Sequence, residues 1–159
     1  MRYCPHCGKA TVAKIVDQRE RQICPDAECG FIFWNNPTPV VAVIVETPSG
    51  VVLAHHVSWP EKAFSIITGF LEAGEDPKEA AVRETREELG LIPESPTLIG
   101  VYPYARLNQV ILAYHLFAQG EVHLNDELDA YRIIPRSKMK AWSFGTGLAV
   151  ADWLASFHE

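Results

Sequence analysis

The chain has 159 residues, with 14 Lys and Arg against 20 Asp and Glu, a formal net charge of −6, and 48% apolar residues. That length supports one ordinary domain with a small appendage, and the composition excludes disorder, collagen and coiled coil. No apolar run approaches the roughly 20 residues that cross a bilayer, and the acidic balance argues against a duplex nucleic-acid binder, which must neutralise phosphates with Lys and Arg.

The first element is a cysteine head. All four cysteines fall within the first 29 residues, as Cys4-Pro-His-Cys7 and, sixteen residues on, Cys24-Pro-Asp-Ala-Glu-Cys29. Gly8 and Gly30 follow the two pairs and permit a left-handed backbone there. Two close pairs on tight turns can bring four thiolates onto one tetrahedral Zn²⁺. Four thiolates leave no open position, so such a zinc is structural. The competing reading is two disulfides. No basic-then-apolar leader precedes Cys4, which points to a reducing, cytoplasmic compartment and against disulfides. Thr11–Ile23 reads as a hairpin with Gln18 to Arg21 near its turn. The head is expected to be a zinc ribbon over residues 1–36. Asn35-Asn36-Pro37-Thr38-Pro39 favours turn or extended backbone and marks the boundary to a second domain, 37–159.

Pro39–Thr47 and Gly50–Val57 are apolar, β-rich runs joined by a hairpin signal. Ile66–Ile67 reads as a short strand. The next stretch is dense in acid: seven of the chain's acidic residues lie between Gly69 and Leu91. It reads as a loop feeding a helix. Asp76 can cap it, with Glu79 completing a capping box. Pro77 suits the first helical position and Gly90 the stop. Glu84, Glu87 and Glu88 stand at i, i+3 and i+4, on one helix face. Like charges at that spacing oppose the helix by roughly 0.2–0.5 kcal/mol per pair. The cluster makes sense around a cation such as Mg²⁺ or Mn²⁺, which prefers carboxylates. A solvated acidic face is the alternative. Arg83 is placed to pair with a carboxylate one turn away.

Downstream, Thr97–Tyr102 and Gln109–Ala118 read as strands. Leu124 to Tyr131 holds Asp126 and Glu127, either an acid-bearing loop or the start of a helix. Lys138–Trp142 reads as a helical turn and Gly147–His158 as a helix, with apolar residues near helical spacing. Trp142, Phe144 and Trp153 read as core or interface residues.

The central stretch resembles the Nudix box, Gly-x5-Glu-x7-Arg-Glu-U-x-Glu-Glu-x-Gly-U, where U is bulky and apolar. Gly69, Glu75, Arg83, Glu84, Glu87, Glu88 and Gly90 match the fixed positions and Leu91 the final U; Thr85 departs at the first U. The resemblance implies an α/β/α sandwich around a mixed sheet. It also implies metal-dependent hydrolysis of a nucleoside diphosphate linked to another group. Carried over by position, Glu84, Glu87 and Glu88 are Mg²⁺ or Mn²⁺ ligands, and Glu84 or a later acid is the general base. Glu75 and Arg83 orient the helix, and the Thr68 carbonyl is an extra ligand. A further acid on a downstream loop is common in the family; Glu127 is the first choice and Asp126 the second.

A zinc ribbon joined to such a domain resembles the branch of NADH, FAD and ADP-ribose pyrophosphatase-like enzymes. The NADH branch carries S-Q-P-W-P-F-P-x-S after the box. Here only Tyr102-Pro103-Tyr104 is similar to it, so FAD, ADP-ribose or another dinucleotide-like metabolite stands beside NAD(H) as the substrate the resemblance implies. Tyr104, Arg106, Asn108 and Phe64 are the candidate base or phosphate contacts. A capped RNA end contains the same linkage, and a non-catalytic metabolite sensor is the other class of reading. Relatives imply a homodimer.

Overall fold

The computed structural model describes residues 1–157. It divides into two compact units that change over between Asn36 and Pro37.

The first unit is a three-stranded antiparallel sheet of β1 (Val12–Val16), β2 (Arg19–Ile23) and β3 (Ile32–Phe33), in that order. The β1–β2 turn is Asp17-Gln18, with φ of 49° and 63°. Positive φ at both central residues is the turn that matches the twist of a two-residue hairpin. The turn thus falls beside the expected Gln18 to Arg21, with Arg19 to Arg21 opening β2.

The second unit is built on a seven-stranded mixed sheet. Its strands are β4 (Thr38–Thr47), β5 (Gly50–His56), β6 (Ile67–Phe70), β7 (Ile92–Pro93), β8 (Thr97–Tyr104), β9 (Gln109–Gln119) and β10 (Leu128–Ile134). The order is β10-β5-β4-β9-β7, with β6 also on β4 and β8 also on β9. β4 and β9 run parallel from Thr38 opposite Gln109 to Glu46 opposite Phe117, while the other pairs are antiparallel. The far edge of β4 is shared: β6 takes Val40 to Val43, and β5 takes Glu46 and Thr47.

Two helices cover the sheet, α1 (Pro77–Leu89) and α2 (Gly147–Ala155). The side chains of β4 alternate between them. Val41, Val43 and Val45 join Ala80, Ala81 and Leu89 of α1 in one core. Ala42 and Ile44 join Ala149, Val150 and Trp153 of α2 in the other. A strand buried on both faces reads as a continuous apolar run, as Val40–Val45 does. Each such Val contributes on the order of 1.5–3 kcal/mol of burial. The result is an α/β/α sandwich around a mixed sheet.

Of the two readings of Leu124 to Tyr131 the loop is found and the helix start is not: Asp126 and Glu127 lie in a turn, and Leu128–Ile134 after it is a strand. Two local expectations change. The turn expected at Lys138–Trp142 is a short 3-10 turn at Arg136–Lys138. The last helix ends at Ala155, and His158 lies outside the described residues.

Candidate active site and the cysteine cluster

Helix α1 starts at Asp76, whose carboxylate accepts the Lys78 N–H at 2.7 Å, and Pro77 fills the first helical position. The cap thus takes the second helical N–H rather than that of Glu79. Gly90 ends the helix at φ 65°, its N–H bonded to the Arg86 carbonyl. These two ends fix the helix register on the sheet and so the direction of its acids. Thr85, the departure from the box, is fully buried and donates its hydroxyl to the Ala81 carbonyl at 2.8 Å. A polar side chain is accommodated there because its hydrogen bond is met within the helix.

Arg83 braces the acids. Its Nε and Nη2 donate to the two oxygens of Glu75 at 2.7 and 2.9 Å, and Nη1 donates to Glu84 Oε1 at 2.7 Å and Glu87 Oε2 at 3.0 Å. Nη2 also reaches the Phe70 carbonyl at 3.1 Å. Glu75 accepts the Glu72 N–H as well. With Arg83 first and that N–H second, the Glu75 carboxyl is held down to about 2. One guanidinium thus ties the loop, the helix and the end of β6 together, using the fixed fork that makes Arg suited to carboxylates.

Glu84 and Glu88 are buried, and Glu87 stands more open. Burial raises Glu84 above its ordinary value. Burial, then the nearby charges of Glu84, Glu127 and Glu87, pushes Glu88 up to about 8. The Glu88 carboxylate makes no hydrogen bond or ion pair with a described residue. A buried carboxylate without a partner is costly unless a cation joins it. The donors are of the kind a hard divalent ion takes, carboxylate oxygens on one helix face, but among the described residues only the four cysteines lie close enough together to share an ion as they stand.

These acids open onto a cleft of about 880 Å³. Its lining brings together Thr68, Gly69, Arg83, Glu84, Glu87 and Glu88 with Glu127 from the turn before β10, and with Phe64 and Tyr104. Glu75 sits behind Arg83 and does not line it. Arg106 and Asn108 are exposed in the 3-10 turn after β8, outside the lining, and the Asn108 carbonyl accepts the Thr38 N–H. Asp126 is also outside it.

Sequence reasoning missed part of the wall. Trp59, Trp142 and Phe144, with Lys62 and Asn125, also line the cleft. Trp142 packs against the core as read and also lines the cleft, Phe144 is exposed and differs from the core-or-interface reading, and Trp153 is buried on α2. The loops carrying them are tied by a Ser65–Thr146 hydroxyl bond of 3.2 Å. Phe64 has one face occupied by Arg132, with Cζ 4.0 Å from its centroid.

In the first unit the four cysteine sulfurs lie within 4.8 Å of one another, with Cys4–Cys29 at 3.6 Å and Cys7–Cys24 at 3.5 Å. A tetrahedron with Zn–S bonds of about 2.3 Å has edges of about 3.8 Å. Gly8 and Gly30 are left-handed, at φ 75° and 64°, as a tight turn after each pair needs. Burial opposes ionisation of Cys4, but the N–H groups of Cys7 and His6 outweigh it and bring the thiol to about 7. The Phe31 N–H favours the Cys29 thiolate, but burial and the other thiols push it up to about 12. Four thiols this close ionise together only around a cation, which is the donor set of a structural zinc site. His6 packs its ring edge on Phe31 and is not among the four.

Fold and site define a class: an α/β/α sandwich whose capped helix delivers a braced carboxylate set to a nucleotide-sized cleft. Residues 36–151 match the NUDIX domain family, and residues 2–35 match the Nudix N-terminal zinc-ribbon family. The chain belongs to the Nudix hydrolase family. Among curated proteins it is 30% identical over 122 residues to the NAD-capped RNA hydrolase NudC of Pseudomonas aeruginosa, covering 76% of this chain and 42% of that one. It is 27% identical over 117 residues to NudC of Mycobacterium bovis, covering 72% and 36%. The chain thus spans less than half the length of these relatives. A crystal structure of a NUDIX hydrolase from Nitrosomonas europaea superposes with a TM-score of 0.76 at 26% identity, over 87% of this chain and 80% of that one. An ADP-ribose pyrophosphatase from Streptococcus suis shares the fold, with a TM-score of 0.63 at 16% identity over 78% and 94% of the two chains.

Proposed function

We propose that this chain hydrolyses the pyrophosphate linkage of a nucleoside diphosphate derivative, with Mg²⁺ or Mn²⁺ held by Glu84, Glu87 and Glu88, and Glu127 facing them. The observation that carries the reading is the buried, unpartnered Glu88 beside Glu84 at one end of an aromatic-walled cleft. When bound, the metal neutralises diphosphate charge and lowers the pKa of an attacking water.

The chain's own residues do the rest. Arg83 donates to Glu84 and Glu87 and so limits the rotamers from which these carboxylates close on an ion. Glu75 anchors that arginine from behind. The Thr68 carbonyl is a further candidate ligand. Glu84 or a later acid of the set takes the proton of the water as general base, while a nucleotide leaves from the attacked phosphorus. Tyr104, Trp142 and Phe144 offer ring faces for a base. Phe64, with one face already on Arg132, serves as wall. Arg106 and Asn108 carry no role in this reading.

The substrate class is supported by the relatives. NudC proteins are named for NAD-capped RNA and the Streptococcus suis neighbour for ADP-ribose. FAD, NAD(H), ADP-ribose and a capped RNA end all present the required linkage. Tyr102, in the segment that departs from the NADH signature, donates its hydroxyl to Asp152 of α2 at 2.6 Å. It is committed to the fold and does not line the cleft, so it offers no contact that selects among these substrates. A homodimer, implied by the resemblance, and the reducing cytoplasmic compartment that suits four zinc-binding thiols belong to the same proposal.

The test is a product-resolved screen of FAD, ADP-ribose, NAD(H) and NAD-capped RNA with each metal. Release of a mononucleotide, or of 5′-monophosphate RNA, supports the reading. Tight binding with no product under any metal would make the domain a sensor instead.

A further inference from the structure

The zinc ribbon sorts its charges by face. Lys14 stands directly opposite Arg21, and Val16 opposite Arg19. Residues paired across an antiparallel ladder share a face, as do residues two apart along a strand. Lys14, Arg19 and Arg21 therefore project from one side of β1 and β2. Glu20, the acid between the two arginines, points to the other side. Of the remaining acids, Asp17 lies in the turn, Asp26 is paired with Lys9 near the cysteines, and Glu28 lies beside Cys29 in the second cysteine loop.

Like charges placed directly opposite one another weaken a hairpin. Among the described residues, no acid pairs with Lys14, Arg19 or Arg21, so the fold gains no ion pair in return. Arg21 is instead laid over the Trp34 ring, with Cζ 4.6 Å from its centroid, and it donates to the Trp34 carbonyl at 2.6 Å. Its Nε is buried without a hydrogen-bond partner. Trp34 stays 44% exposed despite this stack, and Lys14 and Arg19 are exposed. Three cations beside an open aromatic ring are complementary to a chain that alternates phosphates and planar bases.

We propose that this face of the ribbon binds single-stranded RNA. The proposal rests on the diphosphate-hydrolase reading for the identity of the strand. A nucleoside diphosphate substrate can be the 5′ end of a polynucleotide, and the nucleotides that follow the linkage are such a chain of phosphates and bases. Free dinucleotides lack those nucleotides and leave the ribbon face without a strand to bind.

The experiment uses the full chain with a fluorescent twelve-nucleotide oligoadenylate that has no diphosphate linkage, and in parallel assays hydrolysis of FAD and ADP-ribose. Wild type is expected to bind the oligomer with an affinity that falls as salt rises. The Lys14→Glu/Arg19→Glu variant is expected to bind at least about tenfold more weakly. Lys14→Gln/Arg19→Gln should lower the log–log salt slope by about 1.4, at about 0.7 per neutralised phosphate on single strands. Trp34→Ala should weaken binding and leave that slope unchanged. Free-dinucleotide turnover and zinc content should stay at wild-type values in all three.

Unchanged oligomer binding in the charge variants, or none by wild type at low salt, overturns the proposal. So does a change of sedimenting mass in the variants with RNA binding intact, which would assign the face to a second copy of the chain. If wild type fails to cleave any diphosphate derivative, the hydrolase reading falls, and the oligomer titration still judges the ribbon face separately.

Discussion

Gly69 lies directly against the carboxylate of Glu84: a Cβ at position 69 would stand 1.9 Å from Glu84 Oε1 and 2.0 Å from its carboxyl carbon. The reason for glycine here is close approach, since Gly69 does not have positive φ. The end of β6 is thereby a mould for one proposed metal ligand, and Arg83 holds the same oxygen from the helix side at 2.7 Å. Gly69→Ala should fold, because the displaced atoms belong to a side chain at the cleft. It should lose about 10–100-fold in activity or metal affinity, the usual cost of disturbing an orienting contact. Mn²⁺ titration calorimetry alongside kcat checks this, and an alanine variant with wild-type values would show that Glu84 has room to move.

Glu75 gives a pH prediction. Arg83 holds its folded pKa near 2, below the ordinary 4.5. A depressed carboxylate contributes stability above the unfolded pKa and loses it as pH falls through the folded one. Wild type should therefore be more stable than Glu75→Gln at neutral pH. The difference should shrink below about pH 4.5 and vanish near about pH 2. Urea unfolding across that range measures it. Turnover by Glu75→Gln should also fall, because Arg83 loses the anchor that fixes its fork.

Glu88 predicts the opposite sign. Its folded pKa is raised to about 8, so its ionisation opposes folding when no cation is present. Without added Mg²⁺ or Mn²⁺, Glu88→Gln should melt at or above the wild-type temperature. The gap should widen as pH rises from about 5 to about 8, while turnover is lost. A variant that melts well below wild type at the upper end of that range would mean Glu88 is structurally compensated by a contact other than a metal.

The parts of this site that were legible in the sequence are those built from contiguous chain. The box residues between Gly69 and Leu91 and the two cysteine pairs act through local turns and one helix face, so spacing alone carries their geometry. The sandwich was legible because β4 is apolar on both faces. The remaining wall was not. Trp142 ends a stretch that reads as a helical turn and Phe144 follows it, and no local signal in the sequence marks either position as irregular. Their placement comes from contacts distant in sequence: the Ser65–Thr146 bond, and a Gly147 whose Cβ would meet the Trp142 carbonyl at 2.0 Å. Leu128–Ile134 was ambiguous because Asp126 and Glu127 also suit a helix start, and the β5 edge that recruits it is a tertiary fact. Arg106 and Asn108 drew attention by residue type, yet Asn108 serves a left-handed turn at φ 50°.

The aromatic wall separates binding from chemistry. If Trp142 or Phe144 stacks on a base, Trp142→Ala and Phe144→Ala should each raise KM by roughly 5–150-fold, from about 1–3 kcal/mol per stacked base, with kcat nearly unchanged. A loss confined to kcat would place these rings outside the ground-state complex.

The account turns on whether the carboxylate helix performs chemistry. The most direct measurement is product-resolved hydrolysis of FAD and ADP-ribose by wild type, Glu87→Gln and Glu88→Gln, with and without Mn²⁺ or Mg²⁺. The account predicts mononucleotide release by wild type only with metal, and a loss of turnover of about two orders of magnitude or more in both variants, with the fold retained. Equal rates in wild type and both variants, or metal-independent cleavage, would contradict it.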